Sequence, residues 1–149
     1  MAAIGLDDLG EAYQRVQRSI VRGMEDAADF NDDTRFDVLA RDQTIVDAAF
    51  FILIFGQLEN RVNQLALQKV PQPHQKQALR EAKFEKRLEL ALRDKAELQD
   101  EIKGWYGIRN DAAHGASIAS GYEIRPVLSR AREIDALISS SLGAAPETR

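Results

Sequence analysis

The chain has no cysteine, so it can form neither a disulfide nor a zinc–thiolate centre, and nothing points to an oxidising compartment. Histidine is nearly as scarce. There are two, His74 and His114, so proton transfer near neutral pH has few places to reside. Long apolar runs are also missing. The most apolar stretch, AAFFILIF from Ala48 to Phe55, is far shorter than the roughly 20 residues of a membrane span and reads as a buried helix segment. The opening MAAIGLDDLG has neither the basic region nor the apolar run of a signal peptide, so the expected location is the cytoplasm, with no membrane partner. No sustained alternation marks a strand and no Asn-Gly marks a hairpin. No Walker loop, G-x-G-x-x-G, H-E-x-x-H or carboxylate–histidine metal spacing occurs, so no cofactor and no metal is expected.

What remains is an ordinary soluble composition, 44% hydrophobic and 30% charged, enough apolar side chain to bury a core. The length fits one domain over residues 1–149, with a flexible tail at 143–149. The formal net charge of −4 argues against a general nucleic-acid binder, because neutralising phosphates takes Lys and Arg. A local cleft can still be basic on an acidic body.

The helical period dominates. Leu6, Leu9, Tyr13, Val16, Ile20, Met24 and Ala27 form one apolar stripe. DFNDDTR reads as a polar break. Val46, Phe50, Ile54, Leu58, Val62 and Leu65 predict a long helix over about 42 to 70, running through the middle of a bundle. Pro71 and Pro73 end it. A charged helix over about 75 to 92 follows, with Leu79, Phe84, Leu88 and Leu92 inward. Another carries Leu98, Ile102 and Trp105, GASIASG is a loop, and Glu123 to Leu142 is the last helix. The expected fold is all-α, an antiparallel bundle of about five helices.

Chemistry concentrates in WYGIRNDAAHG, Trp105 to Gly115. Asn110 and His114 are four apart and share a helix face, whereas Arg109 stands about 140° around the axis from His114. They converge only if the helix ends near His114 or the Arg side chain wraps back. Gly115 suits a left-handed cap that ends the helix there. Gly104 and Gly107 would let another backbone or a ligand come close. Arg grips phosphate, His moves protons, and Asn orients either. Together they suit phosphoryl chemistry without a metal, and RNA brings its own nucleophile in the 2′-OH. One chain supplies one motif histidine; a symmetric dimer supplies two.

RNDAAHG resembles the R-X4-6-H signature of HEPN domains (higher eukaryotes and prokaryotes nucleotide-binding), many of which carry Asn after the Arg and Gly after the His. The resemblance implies a compact helical domain, usually a homodimer with two motifs facing one cleft. It implies a metal-independent endoribonuclease of toxin–antitoxin or phage-defence systems, cleaving RNA by 2′-OH transesterification. Arg109 and His114 would be catalytic, with Asn110 assisting, and an antitoxin or neighbouring regulatory protein would be a partner. The subgroup modified by nucleotidyltransferase antitoxins has Tyr two residues after the His; here Ala116 stands there.

Other readings stay open. His114 can simply cap a helix, and Arg109 can pair with Asp111. Trp105 and Tyr106 can stack a base, though packing suits them better. His74 reads as a solvated loop residue. Glu59, Asn60, Arg61 and Asn63 form a polar patch, either a cleft wall or a solvated face. Arg125, Arg130 and Arg132 are candidates for a basic rim. The alternative function is a catalytically inactive HEPN-like module that binds a protein partner or a nucleotide. A third reading is a structural helical dimer in which the motif is accidental.

Overall fold

A computed structural model describes residues 3–118 and 121–143. It is all-helical, with six helices among the described residues: α1 (Leu6–Asp29), α2 (Asp33–Gln68), α3 (Pro73–Glu81), α4 (Phe84–Ala91), α5 (Ala96–Ala113) and α6 (Ile124–Gly143). The tail expected from 143 onward lies outside the described residues, except that Gly143 closes α6.

Two elements differ from expectation. The helix expected over 75 to 92 is two short helices, with Ala82 and Lys83 extended between them. The cause is the five-residue step from Leu79 to Phe84. On one continuous helix those side chains would stand about 140° apart, and both are buried. Breaking the helix resets its phase. Arg87 Nη1 donates to the carbonyl of Ala82 (2.7 Å), satisfying backbone left free by the break.

The second difference is α2, which begins at Asp33 rather than near 42. The break after α1 is only Phe30 to Asp32. Asn31 takes a left-handed conformation (φ 53°), and the N–H of Asp32 reaches back to Ala27 O (2.7 Å), closing α1. The Asp32 side chain then accepts from Arg35 N (3.0 Å) and opens α2. The cluster of turn formers is thus one cap handing over to the next.

Helix α2 is the axis of the core. Phe51, Ile54, Phe55, Leu58 and Val62 are at most 1% exposed, and Leu88, Ile102, Ile134 and Ile138 close around them from α4, α5 and α6. Each such side chain contributes about 1.5–3 kcal/mol on burial. Tyr13 of α1 packs edge-on against Phe50, and Trp105 and Tyr122 pack on Phe51. Ion pairs set the directions. Glu101 meets Arg130 while Leu137 lines a cleft with Asp94 to Leu98, so α5 and α6 are antiparallel, with Asp7 meeting Arg132 from α1. Arg61 meets Asp135 while Phe51 meets Tyr122, so α2 and α6 run the same way. The C-terminus of α5 and the N-terminus of α6 therefore lie at the same end of the bundle.

At that end α1 and α2 continue as a helical hairpin. No side chain from Ala28 to Phe50 is buried. The hairpin closes tightly all the same: a Cβ on Gly23 would lie 2.8 Å from Leu39 Cδ1, so a larger residue there would make the Leu39 side chain shift.

Candidate functional site

Helix α5 is anchored by its aromatic pair. Trp105 is 5% exposed and packs on Phe51, and Tyr106 packs between Phe55 and Phe84. Both serve the core, so neither offers a free face for a base. Leu98, Ile102 and Ala112 complete the buried side, which fixes the rotation of the helix and leaves Arg109 and Asn110 half-buried at its edge.

The helix ends where the sequence suggests. His114 is its C-cap, Gly115 follows at φ +90°, and Ala116 N donates to Asp111 O (2.9 Å) while Gly115 N donates to Ala112 O (3.1 Å). This paired return of two N–H groups is a Schellman motif, and it needs a residue tolerant of positive φ after the cap. His114 is held at the rim of the helix with its side chain exposed.

Arg109 Nη1 donates to Asn110 Oδ1 (3.1 Å), joining the two side chains. Among the described residues Arg109 makes no ion pair, with Asp111 or any other carboxylate. Among the described residues the His114 ring hydrogen-bonds neither Arg109 nor Asn110, so those two are joined and His114 is not part of that pair. The Asn110 amide N–H groups and the imidazole remain available to a ligand.

Other expectations change. Nothing lies within 4 Å of a Cβ built on Gly104 or Gly107, so among the described residues no backbone approaches there. His74 is not in a loop; it sits in the first turn of α3, exposed. Of the polar patch on α2, Arg61 is taken up by Asp135 (2.9 Å). The basic rim is largely neutralised. Arg130 holds Glu101 and Glu133 (2.7 Å each), and Arg132 holds Asp7 (3.0 Å). The hydrogen bond from Arg130 holds the Glu101 carboxyl below its ordinary range despite partial burial. Arg125 stays outside these pairs and donates weakly to Gln17 (3.4 Å).

Sequence reading missed two features. Tyr13 donates to Asp47 (2.7 Å), which also accepts from Gln43 (2.7 Å). Burial, then the bond to Asp47, pushes the phenol well above its usual pKa, so Tyr13 is a fixed donor here. The second is a cleft of about 420 Å³ on the hairpin, lined by Arg15, Arg18, Arg22 and Arg35. Its signal was the spacing of arginines in QRVQRSIVR, three and four apart. Neither this cleft nor four others among the described residues have a motif residue in their linings. His114 is exposed, and Arg109 and Asn110 are half-buried. Among the described residues no three His, Asp or Glu side chains are grouped to hold a metal ion. No helix among them is long and apolar enough to cross a membrane.

No protein-family model matches the chain, and neither a curated protein nor a solved structure does.

Proposed function

We propose that the protein is a HEPN-type, metal-independent endoribonuclease, a toxin or defence effector in the cytoplasm, active as a homodimer. The observation that carries the reading is the Arg109 guanidinium, without a carboxylate partner among the described residues and hydrogen-bonded to Asn110, on the helix that ends at the exposed His114. A guanidinium without a counter-ion is suited to a phosphodiester. An imidazole on the helix rim is suited to exchanging protons with a substrate.

In the proposed reaction one imidazole takes the proton of the RNA 2′-OH as its oxygen bonds to phosphorus. The bond from phosphorus to the 5′-oxygen breaks, and the imidazolium of the second copy gives that oxygen a proton. The products are a 2′,3′-cyclic phosphate and a 5′-OH end. Arg109 stabilises charge on the phosphoryl oxygens, and Asn110 keeps the guanidinium in position. The two motifs would form facing walls of one cleft, reached through the exposed His114. Ile45 (66% exposed) and Leu53 (51% exposed) form, with Ala49, an uncovered apolar stripe on α2 for the second copy.

The test is cleavage of RNA by purified protein in EDTA. Cyclic-phosphate ends, with at least a hundredfold loss on His114→Ala, support the reading. Undiminished cleavage by that variant ends it. The net charge of −4 favours one rival, a catalytically inactive HEPN-like module binding a protein partner or a nucleotide. It prevails if the wild-type dimer leaves mixed RNA intact and an antitoxin or neighbouring regulatory protein binds without altering RNA.

A further inference from the structure

We propose that the hairpin carries a second anion site, the arginine-lined cleft of α1 and α2, which grips the phosphodiester backbone of a single RNA strand. The proposal rests on the ribonuclease reading and deepens it by naming where the strand is held away from the cut.

Arg15, Arg18, Arg22 and Arg35 line the cleft against a single carboxylate, Asp26. Among the described residues none of the four forms an ion pair, whereas Arg61, Arg130 and Arg132 all do. Four guanidiniums that share one cleft repel one another, and an acidic chain has carboxylates enough to separate them. Leaving them together and unpaired suits a polyanion that arrives from outside. Gly23 forms part of the lining, and Arg35 Nη2 stands 3.8 Å from where a Cβ on it would be.

Spacing favours a strand over a single phosphate. Arg15 to Arg22 spans about 10 Å along α1, roughly three stacked nucleotides at about 3.4 Å each. The basic track also continues. Arg18 lines an adjoining cleft with Arg125, at the N-terminus of α6 and on the same end of the bundle as the motif. A strand lying along the hairpin is thereby directed toward the end where α5 terminates in His114.

The experiment is titration of a fluorescent uridine 12-mer into the His114→Ala dimer, which removes cleavage from the measurement, over a series of salt concentrations. Adding Arg18→Ala and Arg22→Ala should weaken binding at least tenfold and reduce the salt slope of log K by about 1.4, two contacts at about 0.7 each. The pair Arg80→Ala and Arg93→Ala, with the same change in net charge elsewhere, should leave the slope where it was. A uridine dinucleotide should bind at least tenfold more weakly than the 12-mer. An unchanged slope in the Arg18/Arg22 variant overturns the site. Equal affinity for dinucleotide and 12-mer overturns the strand in favour of a small phosphate ligand. The two readings fail separately. Arginine-dependent binding by a protein that never cleaves RNA sinks the nuclease and keeps this site. His114-dependent cleavage with arginine-independent binding does the reverse.

Discussion

Gly115 shows what one backbone position can control. Its φ of +90° returns two N–H groups to α5 and sets His114 at the helix rim. An L side chain there opposes its own carbonyl, so Gly115→Ala should lower unfolding free energy by about 1–2 kcal/mol in urea denaturation. Glu101 gives a residue-scale test in pH. Its folded pKa is lowered by the hydrogen bond from Arg130. A lowered carboxyl pKa stabilises the fold above the unfolded value, and that share is lost as pH falls through the folded one. The Glu101→Gln protein should therefore lose less stability than wild type between about pH 5 and pH 3, measured by thermal melts. These two residues differ in how far sequence reveals them. A glycine after a helical run is a local signal, and its capping role was legible. The fate of an arginine depends on which carboxylate the fold delivers, 29 residues away for Arg130 and Glu101. Spacing along one helix could not tell the neutralised arginines of α6 from the unpaired ones of α1.

At the scale of elements, periodicity carried most of the architecture. The stripe from Val46 to Leu65 locates the core half of α2 because burial there is nearly complete. It fails upstream, where Val38 (46% exposed) and Ile45 (66% exposed) face solvent and no core imposes a rhythm. Asp32 and Asp33 were legible as turn formers, but not as a cap and the first turn of the next helix. The break at Ala82 and Lys83 was written in the five-residue step between Leu79 and Phe84, a phase error that length alone hides. It yields a sharp test. Lys83 has φ −63° and Ala82 is extended, the backbone that proline and the residue before it adopt. Lys83→Pro should raise stability by about 0.4–1 kcal/mol in urea titration. On the continuous helix that composition suggests, the same change would cost about 3 kcal/mol.

For the whole molecule, the bundle end that carries the motif is also its least covered. Because α5 runs antiparallel to α6, and α6 runs with α2, α5 is antiparallel to α2. With Trp105 on Phe51, the α5 residues from Arg109 onward extend alongside the part of α2 that precedes Phe51. That part carries Ile45 and Ala49, and one turn beyond it Leu53 continues the exposed stripe. On the proposed function, this apolar stripe at the motif's end of the bundle is where a second copy would complete the site, since a pair of imidazoles would take two chains with one motif histidine each. Ile45→Glu with Leu53→Glu puts two like charges into that contact and touches no buried side chain, so helicity and melting should change little. On the proposed function, sedimentation should report a dimer for wild type and a monomer for this variant. RNA cleavage should fall by at least a hundredfold, because each imidazole loses the partner that supplies the second proton transfer. A monomeric variant that cleaves at the wild-type rate would separate the chemistry from the dimer and leave Arg109, Asn110 and His114 to act within one chain.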